Sequence, residues 1–288
     1  MVLAICGLVL IGPGCLTGDD GPENGRPRNI ILMIGDGMGL SHISAGRIAR
    51  GGLNIERMKT VGLQSTVPAE GTVTDSAASG TAMATGYKTL NGAISMDPEG
   101  VVLETVLEYA EKKGMMTGLV ATCSITHATP AAFASHVPDR GMSGEIAWQI
   151  SHSGVDLLIG GGLEWFLPRS EEGSMREDSR DPLSALGERM PVVRPGETLE
   201  VEDTVKALAV FTAMGHPPAL PMREPGLVRM TRQALDVLSA GDSGFFLMIE
   251  GSQIDWAAHD NDLETMLMEI AEFDSAVGVV LDFASAEG

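Results

Sequence analysis

Four side chains that could bind a metal ion stand at or just past the ends of predicted strands. The strands are Ile30–Ile34, Leu119–Cys123 and Phe245–Ile249, and the side chains are Asp36, His127, Thr129 and Glu250. Parallel strands end at one edge of a sheet, and the ligand crevice of open α/β sheets lies outside that edge. One such residue alone would more simply be a loop carboxylate or a helix cap. Together they predict a polar site, with Asp36 its strongest member because the glycines around it allow close approach.

A serine among small residues, Ser76, lies in the segment TVTDSAASGTA, whose pattern indicates the start of a helix. Unpaired backbone N–H groups and the helix dipole favour an anion such as phosphate at this position. A serine hydroxyl is a weak nucleophile until a base or a metal ion activates it. The alternative is that Asp75 or Ser76 only caps the helix, and this segment alone does not decide between the two.

A further pair of candidate ligands, Asp255 and His259, follows Glu250 closely. Residues at i and i+4 of a helix share one face and can chelate one ion, although a surface ion pair explains an isolated case more simply. The acids at the strand ends shift the interpretation towards metal binding. Arg140 could hold a phosphate through two parallel hydrogen bonds, but alone it would be taken for a surface arginine.

Apolar runs alternate with helical patterns along most of the chain. Further strands are expected at Val155–Ile159 and Ala207–Phe211, and helices from about Ser41, around Leu103–Ala110 and over Leu263–Val277. The apolar residues of these helices recur at helical spacing. The alternation predicts an α/β fold with a mainly parallel sheet covered by helices on both faces. The charged, irregular stretch 168–195 is interpreted as a surface insertion.

The N-terminus is interpreted as an export signal. Val2–Ile11 is an apolar run too short to span a bilayer, and small residues and Cys15 follow it as in bacterial lipoprotein signals. No basic residue precedes the run, and a buried N-terminal strand is the alternative. This interpretation gives a signal at 1–15, a linker at 16–28 and a domain at 29–288, with membrane attachment through a lipidated Cys15.

The composition limits the partners of the protein. Its formal net charge is −20, from 39 acidic and 19 basic residues. Nucleic-acid binding needs a basic surface, so the charge argues against it. Besides Cys6 and Cys15 the sequence contains only Cys123, and no disulfide is therefore expected within the domain.

Five blocks of sequence together resemble the alkaline phosphatase family. They are IILMIGDGMG, TVTDSAASGTAMATG, THATPAAFASHVPDR, DLLIGGG and FFLMIEGSQIDWAAH. They stand in the family's order, and the resemblance covers the chain from Asn29 to Gly288. It implies a three-layer α/β/α sandwich, hydrolysis of phosphate monoesters through a phosphoserine, two zinc sites and one magnesium site, and it is compatible with a homodimer. Export would place such an enzyme in the periplasm, on the membrane or outside the cell.

The resemblance also implies a role for each matching residue. Ser76 is the implied nucleophile, and Arg140 the implied phosphate clamp, held by Asp75. The implied metal ligands are Asp36 and Ser76 for one zinc, Asp255 and His259 for the other, and Asp36, Thr129 and Glu250 for magnesium, with His127 beside that ion. Trp256 stands at a position that varies within the family and leaves the metal preference open.

The C-terminus departs from the family pattern. Family members continue past the helix at Leu263–Val277 into strands that supply an aspartate and two histidines to the zinc ions. The chain, which ends at Gly288, is therefore interpreted as a C-terminally truncated copy with incomplete zinc sites and impaired activity.

Two other interpretations of the sequence stay open. One is a sulfatase or phosphodiesterase of the same superfamily, although DSAASGTA lacks the C/S-x-P-x-R context of a sulfatase nucleophile. The other is an exported lipoprotein that binds phosphate or magnesium without catalysis. The absence of zinc ligands favours this second alternative.

Overall fold

A computed structural model describes residues 6–10, 28–197 and 205–287. Its strands are β1 Cys6–Leu10, β2 Ile30–Gly35, β3 Met116–Ser124, β4 Leu157–Gly161, β5 Val192–Val193, β6 Leu208–Phe211 and β7 Phe245–Gly251. Within the described ranges they form one sheet in the order β1-β2-β7-β3-β4-β6-β5. All neighbouring strands of the sheet pair in parallel except β1, which pairs antiparallel to β2.

Helices cover both faces of this sheet. They are α1 Leu40–Arg50, α2 Ser76–Thr85, α3 Val106–Lys112, α4 Ala128–Ala134, α5 Ser143–His152, α6 Leu163–Phe166, α7 Pro182–Gly187, α8 Leu227–Leu238, α9 Gln253–His259 and α10 Leu263–Glu287, with a 3-10 turn at Asn54–Arg57. Alternate residues of β3 enter two separate cores, as the pleat of a strand requires. Leu119 packs in the core that includes α3, α4 and α5, and Val120 packs in the core of α8 and α10. The predicted three-layer α/β/α sandwich is confirmed.

All five predicted strands are present, and the helix predicted from Leu263 continues to Glu287. The helix expected around Leu103–Ala110 starts later, at Val106. Thr105 is the reason, because its hydroxyl accepts a hydrogen bond from the Glu108 N–H at 3.1 Å while the Glu108 carboxylate accepts one from the Thr105 N–H at 2.8 Å. This reciprocal cap fixes the first turn and leaves the preceding residues outside the helix.

The stretch 168–195, interpreted as a surface insertion, is exposed or half-buried over most of its length, but part of it enters the core. It contains α7 and the edge strand β5, and Leu186 and Met190 are buried in the core. Arg176 is also buried, where its guanidinium donates to the carbonyls of Gly144 and Trp165 and pairs with Asp178. The high charge of this stretch indicated solvation, but the guanidinium reaches enough acceptors to be buried.

The N-terminal predictions fall mostly outside the described residues. Cys15 and nearly all of the linker at 16–28 lie there, whereas residues 6–10 form β1 against β2. This pairing agrees with the alternative of an N-terminal strand, and export stays a prediction. Among the helices of the described ranges, none combines the length and the apolar character that a membrane span requires.

Candidate active site

Asp36 and Ser76 meet at the carboxyl end of the sheet. Asp36 directly follows β2, and Ser76 is the first residue of α2. The Ser76 hydroxyl donates to the Asp36 carboxylate, with Oγ 3.1 Å from Oδ2 and 3.3 Å from Oδ1. Gly37 adopts a φ of +64°, and a Cβ there would lie 2.3 Å from Oδ1 of Asp255. The predicted need for glycine beside Asp36 is thus a matter of both backbone conformation and space.

Asp75 has two tasks, and the cap interpretation is correct for one of them. Its Oδ1 accepts a hydrogen bond from the Ala78 N–H at 2.9 Å, which caps α2. Its Oδ2 accepts from the Gly92 N–H at 3.0 Å and from Nη1 of Arg140 at 3.2 Å. Because Asp75 supplies the cap, the Ser76 hydroxyl is left to face the cavity.

Arg140 connects this serine loop to His127. Its Nη2 lies 3.0 Å from Nε2 of His127. A guanidinium can only donate, so Nε2 accepts and the neutral ring carries its proton on Nδ1. Burial, followed by the charges of Arg140 and His216, lowers the pKa of His127 to about 3. His127 is therefore a neutral, preformed neighbour of the arginine at physiological pH.

Glu250 lies behind the site, beside Asp36 and Thr129, and is completely buried. It stands on β7 between β2 and β3, in register with Ile34 and Ala121. Its Oε1 has no hydrogen-bond partner, and its Oε2 is 3.5 Å from Sγ of Cys123. Burial and then the charge of Asp36 raise the pKa of Glu250 to about 8, although the hydroxyls of Ser252 and Thr129 oppose the rise.

Asp255 and His259 share one face of α9, as their spacing predicts. Oδ2 of Asp255 is 3.5 Å from Nε2 of His259, whose side chain is 78% exposed.

Burial raises the pKa of Asp36 to about 6, and the charge of Asp255 adds to this rise, while Ser76 and Arg140 offset part of it. The two carboxylates therefore repel one another across the site.

One cavity of about 460 Å³ brings these groups together. It is lined by nine of the residues that sequence analysis singled out: Asp36, Asp75, Ser76, His127, Thr129, Arg140, Asp255, Trp256 and His259. Glu250, the remaining predicted ligand, is buried beside it and is absent from the lining. A cavity with several carboxylates, one arginine and a helix N-terminus suits a phosphate held together with divalent cations.

Two residues of the site carried no signal that sequence reasoning used. His216 packs its ring edge-to-face against His127 and Trp256, with centroids 5.7 and 4.7 Å apart, and its Nδ1 accepts from the Ser124 N–H at 3.0 Å. The sequence marks Cys123 only as an unpaired thiol, yet its sulfur, a ring nitrogen of His127 and a carboxylate oxygen of Glu250 all lie within 4.8 Å of one another. Its place at the end of β3, next to a predicted ligand strand, could have marked it.

Known proteins share both the fold and the sequence of this chain. A sequence model of the alkaline phosphatase family matches residues 27–191 and 208–288. The chain belongs to the alkaline phosphatase family.

Alkaline phosphatase 3 of Bacillus subtilis is 38% identical over 278 residues, which are 90% of this chain and 58% of the relative. Streptomycin-6-phosphate phosphatase of Streptomyces griseus is 33% identical, over 98% of this chain and 76% of its own length. The chain thus spans less than two thirds of the first of these relatives.

The structure is similar to that of alkaline phosphatase from the Antarctic bacterium TAB5. The TM-score is 0.84 at 36% identity, over 91% of this chain and 76% of that one. A variant of the TAB5 enzyme, in which an aspartate replaces a histidine, has been solved with Mg bound.

The described residues fit divalent cations on their own chemistry. Glu250 is buried without a counter-charge, and its Oε1 is unpartnered. A carboxylate in that state is costly, and a bound cation would remove the cost. Asp36, Thr129 and Glu250 offer the oxygen donors that Mg²⁺ prefers, and Asp255 and His259 offer an oxygen and a nitrogen suited to zinc.

Proposed function

We propose that this site hydrolyses phosphate monoesters through a phosphoserine on Ser76. The observation that carries the proposal is the Ser76 hydroxyl, at the N-terminus of α2, 3.1 Å from the Asp36 carboxylate. Arg140 lines the same cavity. The hydroxyl is thereby placed where a phosphate would be held by both backbone N–H groups and a guanidinium.

We assign each metal ion to the residues whose donor atoms suit it. Asp36 and Ser76 would hold one zinc, Asp255 and His259 a second, and Asp36, Thr129 and Glu250 a magnesium. Bound there, such cations supply positive charge that favours the serine alkoxide and the departing ester oxygen. Magnesium in the TAB5 variant supports the proposal of a magnesium position.

The reaction has two displacements at phosphorus. Ser76 Oγ attacks the phosphorus, the ester P–O bond breaks, and the proton lost by Ser76 passes through solvent to the leaving alcohol. Water then attacks the phosphoserine, the bond to Oγ breaks, and Ser76 regains its hydroxyl proton as inorganic phosphate leaves. Arg140, held by Asp75, orients the non-reacting oxygens, and the α2 N–H groups stabilise their charge.

Phosphate trapping tests the nucleophile. The protein is incubated with a radiolabelled phosphate monoester, quenched in acid and mapped by peptide digestion. Label on the Ser76 peptide that disappears in Ser76→Ala is expected. Ser79→Ala is the matched control, because Ser79 lines the same cavity and bonds to Thr74 Oγ1 at 2.8 Å. Label that follows Ser79, or faster turnover of sulfate than of phosphate esters, would overturn the proposal.

Low turnover by the 288 residues alone is the second part of the proposal. Asp255 and His259 are two protein donors, whereas catalytic zinc usually has three. Loss of a supporting residue around a metal costs about 10–100-fold in affinity or activity, and loss of a direct ligand should cost more. The chain is assayed with excess zinc and magnesium beside a version extended by the C-terminal part of the Bacillus subtilis relative. Rates within about tenfold of each other would contradict this expectation.

Export and lipidation at Cys15 are proposed on the apolar run Val2–Ile11 and on the small residues and cysteine that follow it. Cell fractionation should find the protein outside the cytoplasm, and labelling with a fatty-acid analogue should be lost in Cys15→Ser. A cytoplasmic product that retains Met1 would exclude both.

A further inference from the structure

The thiol of Cys123 lies beside a buried carboxylate, a contact that packing alone does not require. It is completely buried near the end of β3, and its sulfur lies 3.5 Å from Oε2 of Glu250 on the neighbouring β7. An aliphatic side chain would fill a core position equally well without contacting a carboxylate. The thiol sits instead beside the most deeply buried acid of the site.

The second oxygen of Glu250 gives an independent indication that a ligand belongs here. Oε1 is buried and has no hydrogen-bond partner, although the Ser252 and Thr129 hydroxyls lie near the carboxyl group. Buried polar atoms are rarely left in this state unless an ion or a water completes them. The residue is itself wholly inaccessible to solvent.

His127 completes a group of three donors. A nitrogen of its ring, the sulfur of Cys123 and an oxygen of Glu250 lie within 4.8 Å of one another. Nε2 faces Arg140, whereas Nδ1 is buried without a hydrogen-bond partner, so a cation would bind at Nδ1 once the ring proton moves to Nε2 and the contact with Arg140 opens. Thiolate, imidazole and carboxylate are the ligands of zinc and of cobalt in proteins, whereas magnesium takes oxygen donors. The three side chains therefore favour zinc or cobalt, whereas the oxygen donors Asp36 and Thr129 on the other side of Glu250 favour magnesium.

We propose that Cys123, His127 and Glu250 form a thiolate-containing site for a thiophilic divalent cation, which competes with magnesium because both ions need Glu250. The inference depends on the proposed function in one respect only, the magnesium position at Glu250.

The experiment uses the full chain in a Cys6→Ser, Cys15→Ser background, so that Cys123 is its one thiol. The chelator-treated protein is loaded with zinc, and its zinc-edge X-ray absorption is recorded. A sulfur neighbour at about 2.3 Å is expected, in addition to nitrogen and oxygen at about 2.0–2.1 Å. A spectrum with nitrogen and oxygen neighbours only would overturn the proposal without any substitution in the site.

Cobalt provides the second measurement. Titration with Co²⁺ should produce a sulfur-to-cobalt charge-transfer band that Cys123→Ser abolishes and that excess Mg²⁺ diminishes. Glu250→Gln should weaken cobalt binding by at least about tenfold. A band that survives Cys123→Ser, or one that Mg²⁺ leaves unchanged, would contradict the shared site.

Failure here can be separated from failure of the proposed function. Both spectra are recorded without substrate, and Ser76→Ala should leave the cobalt band in place. Phosphate trapping on Ser76 without any sulfur ligand would refute the thiolate site and leave the phosphatase proposal standing. A sulfur ligand to zinc without phosphate trapping on Ser76 would support the thiolate site and refute the phosphatase proposal.

Discussion

Glu250 and Asp255 are acids five positions apart in the sequence, yet the structure gives them opposite surroundings. Glu250 ends a central strand, is inaccessible to solvent and lacks a partner for one oxygen. Asp255 lies on a short helix at the cavity wall beside His259, a largely exposed side chain. The first carboxylate needs a cation to be mainly charged at neutral pH, whereas water can solvate much of the second pair. Burial, more than residue type, determines how strongly each depends on metal.

Magnesium affinity should separate the two regions most strongly. Glu250→Gln removes a charged ligand from a site without solvent, so affinity should fall by at least about 100-fold. His259→Ala, at the exposed end, should change magnesium affinity less than about twofold. Isothermal titration of the chelator-treated variants measures both. Equal losses in the two variants would show that the cavity binds its ions as one unit.

The second largest effect should be a dependence of stability on pH that comes from the buried Glu250. The folded pKa of Glu250, about 8, lies above that of an ordinary glutamate, because of burial and then Asp36. The folded state thus retains a proton that the unfolded state has lost, so its stability is full below about pH 4.5 and falls as pH rises towards 8. The loss should be of the order of a few kcal/mol in metal-free protein.

Urea unfolding from pH 5 to 8.5 in the presence of chelator tests this slope. Glu250→Gln should flatten it, and His259→Ala should retain it. Added Mg²⁺ should restore stability mainly at the alkaline end. A slope that persists unchanged in Glu250→Gln would assign the effect to another group, of which Asp36 is the first candidate because its pKa is also raised, to about 6.

The same contrast explains what sequence could and could not predict. Strand ends, the helix start at Ser76 and the shared face of Asp255 and His259 follow from spacing, and the structure places them together. The approach of Cys123 to Glu250 depends on the register of β3 against β7, which periodicity does not define. His216 lies in a loop between β6 and α8, where no regular pattern predicts its contact with Ser124.

The stretch 168–195 contains buried residues that its composition does not predict. Its charges suggested solvent, but Arg176 is neutralised by Asp178 and by two carbonyl groups that only the folded chain supplies. Short apolar spacings, such as those of Leu186 and Met190, were too sparse to outweigh the charge. Local composition therefore misjudged burial where tertiary hydrogen bonds compensate a charge.

Asp75 lies between the two extremes, with a side chain 27% exposed that joins a helix cap to an arginine. Asp75→Asn keeps an acceptor for the Ala78 N–H and removes the charge beside Arg140, whereas Asp75→Ala removes both. The alanine variant should lose about 1–2 kcal/mol of stability and the asparagine variant less than about 1 kcal/mol. Phosphorylation of Ser76 should slow in both. Equal stability of the two variants would mean that the cap contributes little.

The exposed pair should give the smallest effect. Asp255 and His259 stand at i and i+4 of α9 with 3.5 Å between Oδ2 and Nε2, a distance compatible with an ion pair. Water screens a histidine that is 78% exposed, and exposed pairs of this kind contribute about 0–1 kcal/mol. In metal-free protein His259→Ala and Asp255→Asn should therefore each change stability by less than about 0.5 kcal/mol, and a double-mutant cycle should find a coupling no larger. With zinc added, the same substitutions should abolish the stabilisation that zinc provides through this pair, since a ligand that binds only the folded state stabilises it by mass action. A coupling above about 1 kcal/mol in the absence of metal would show that α9 holds a structural ion pair, and the role of Asp255 and His259 as zinc ligands would then lose its main support.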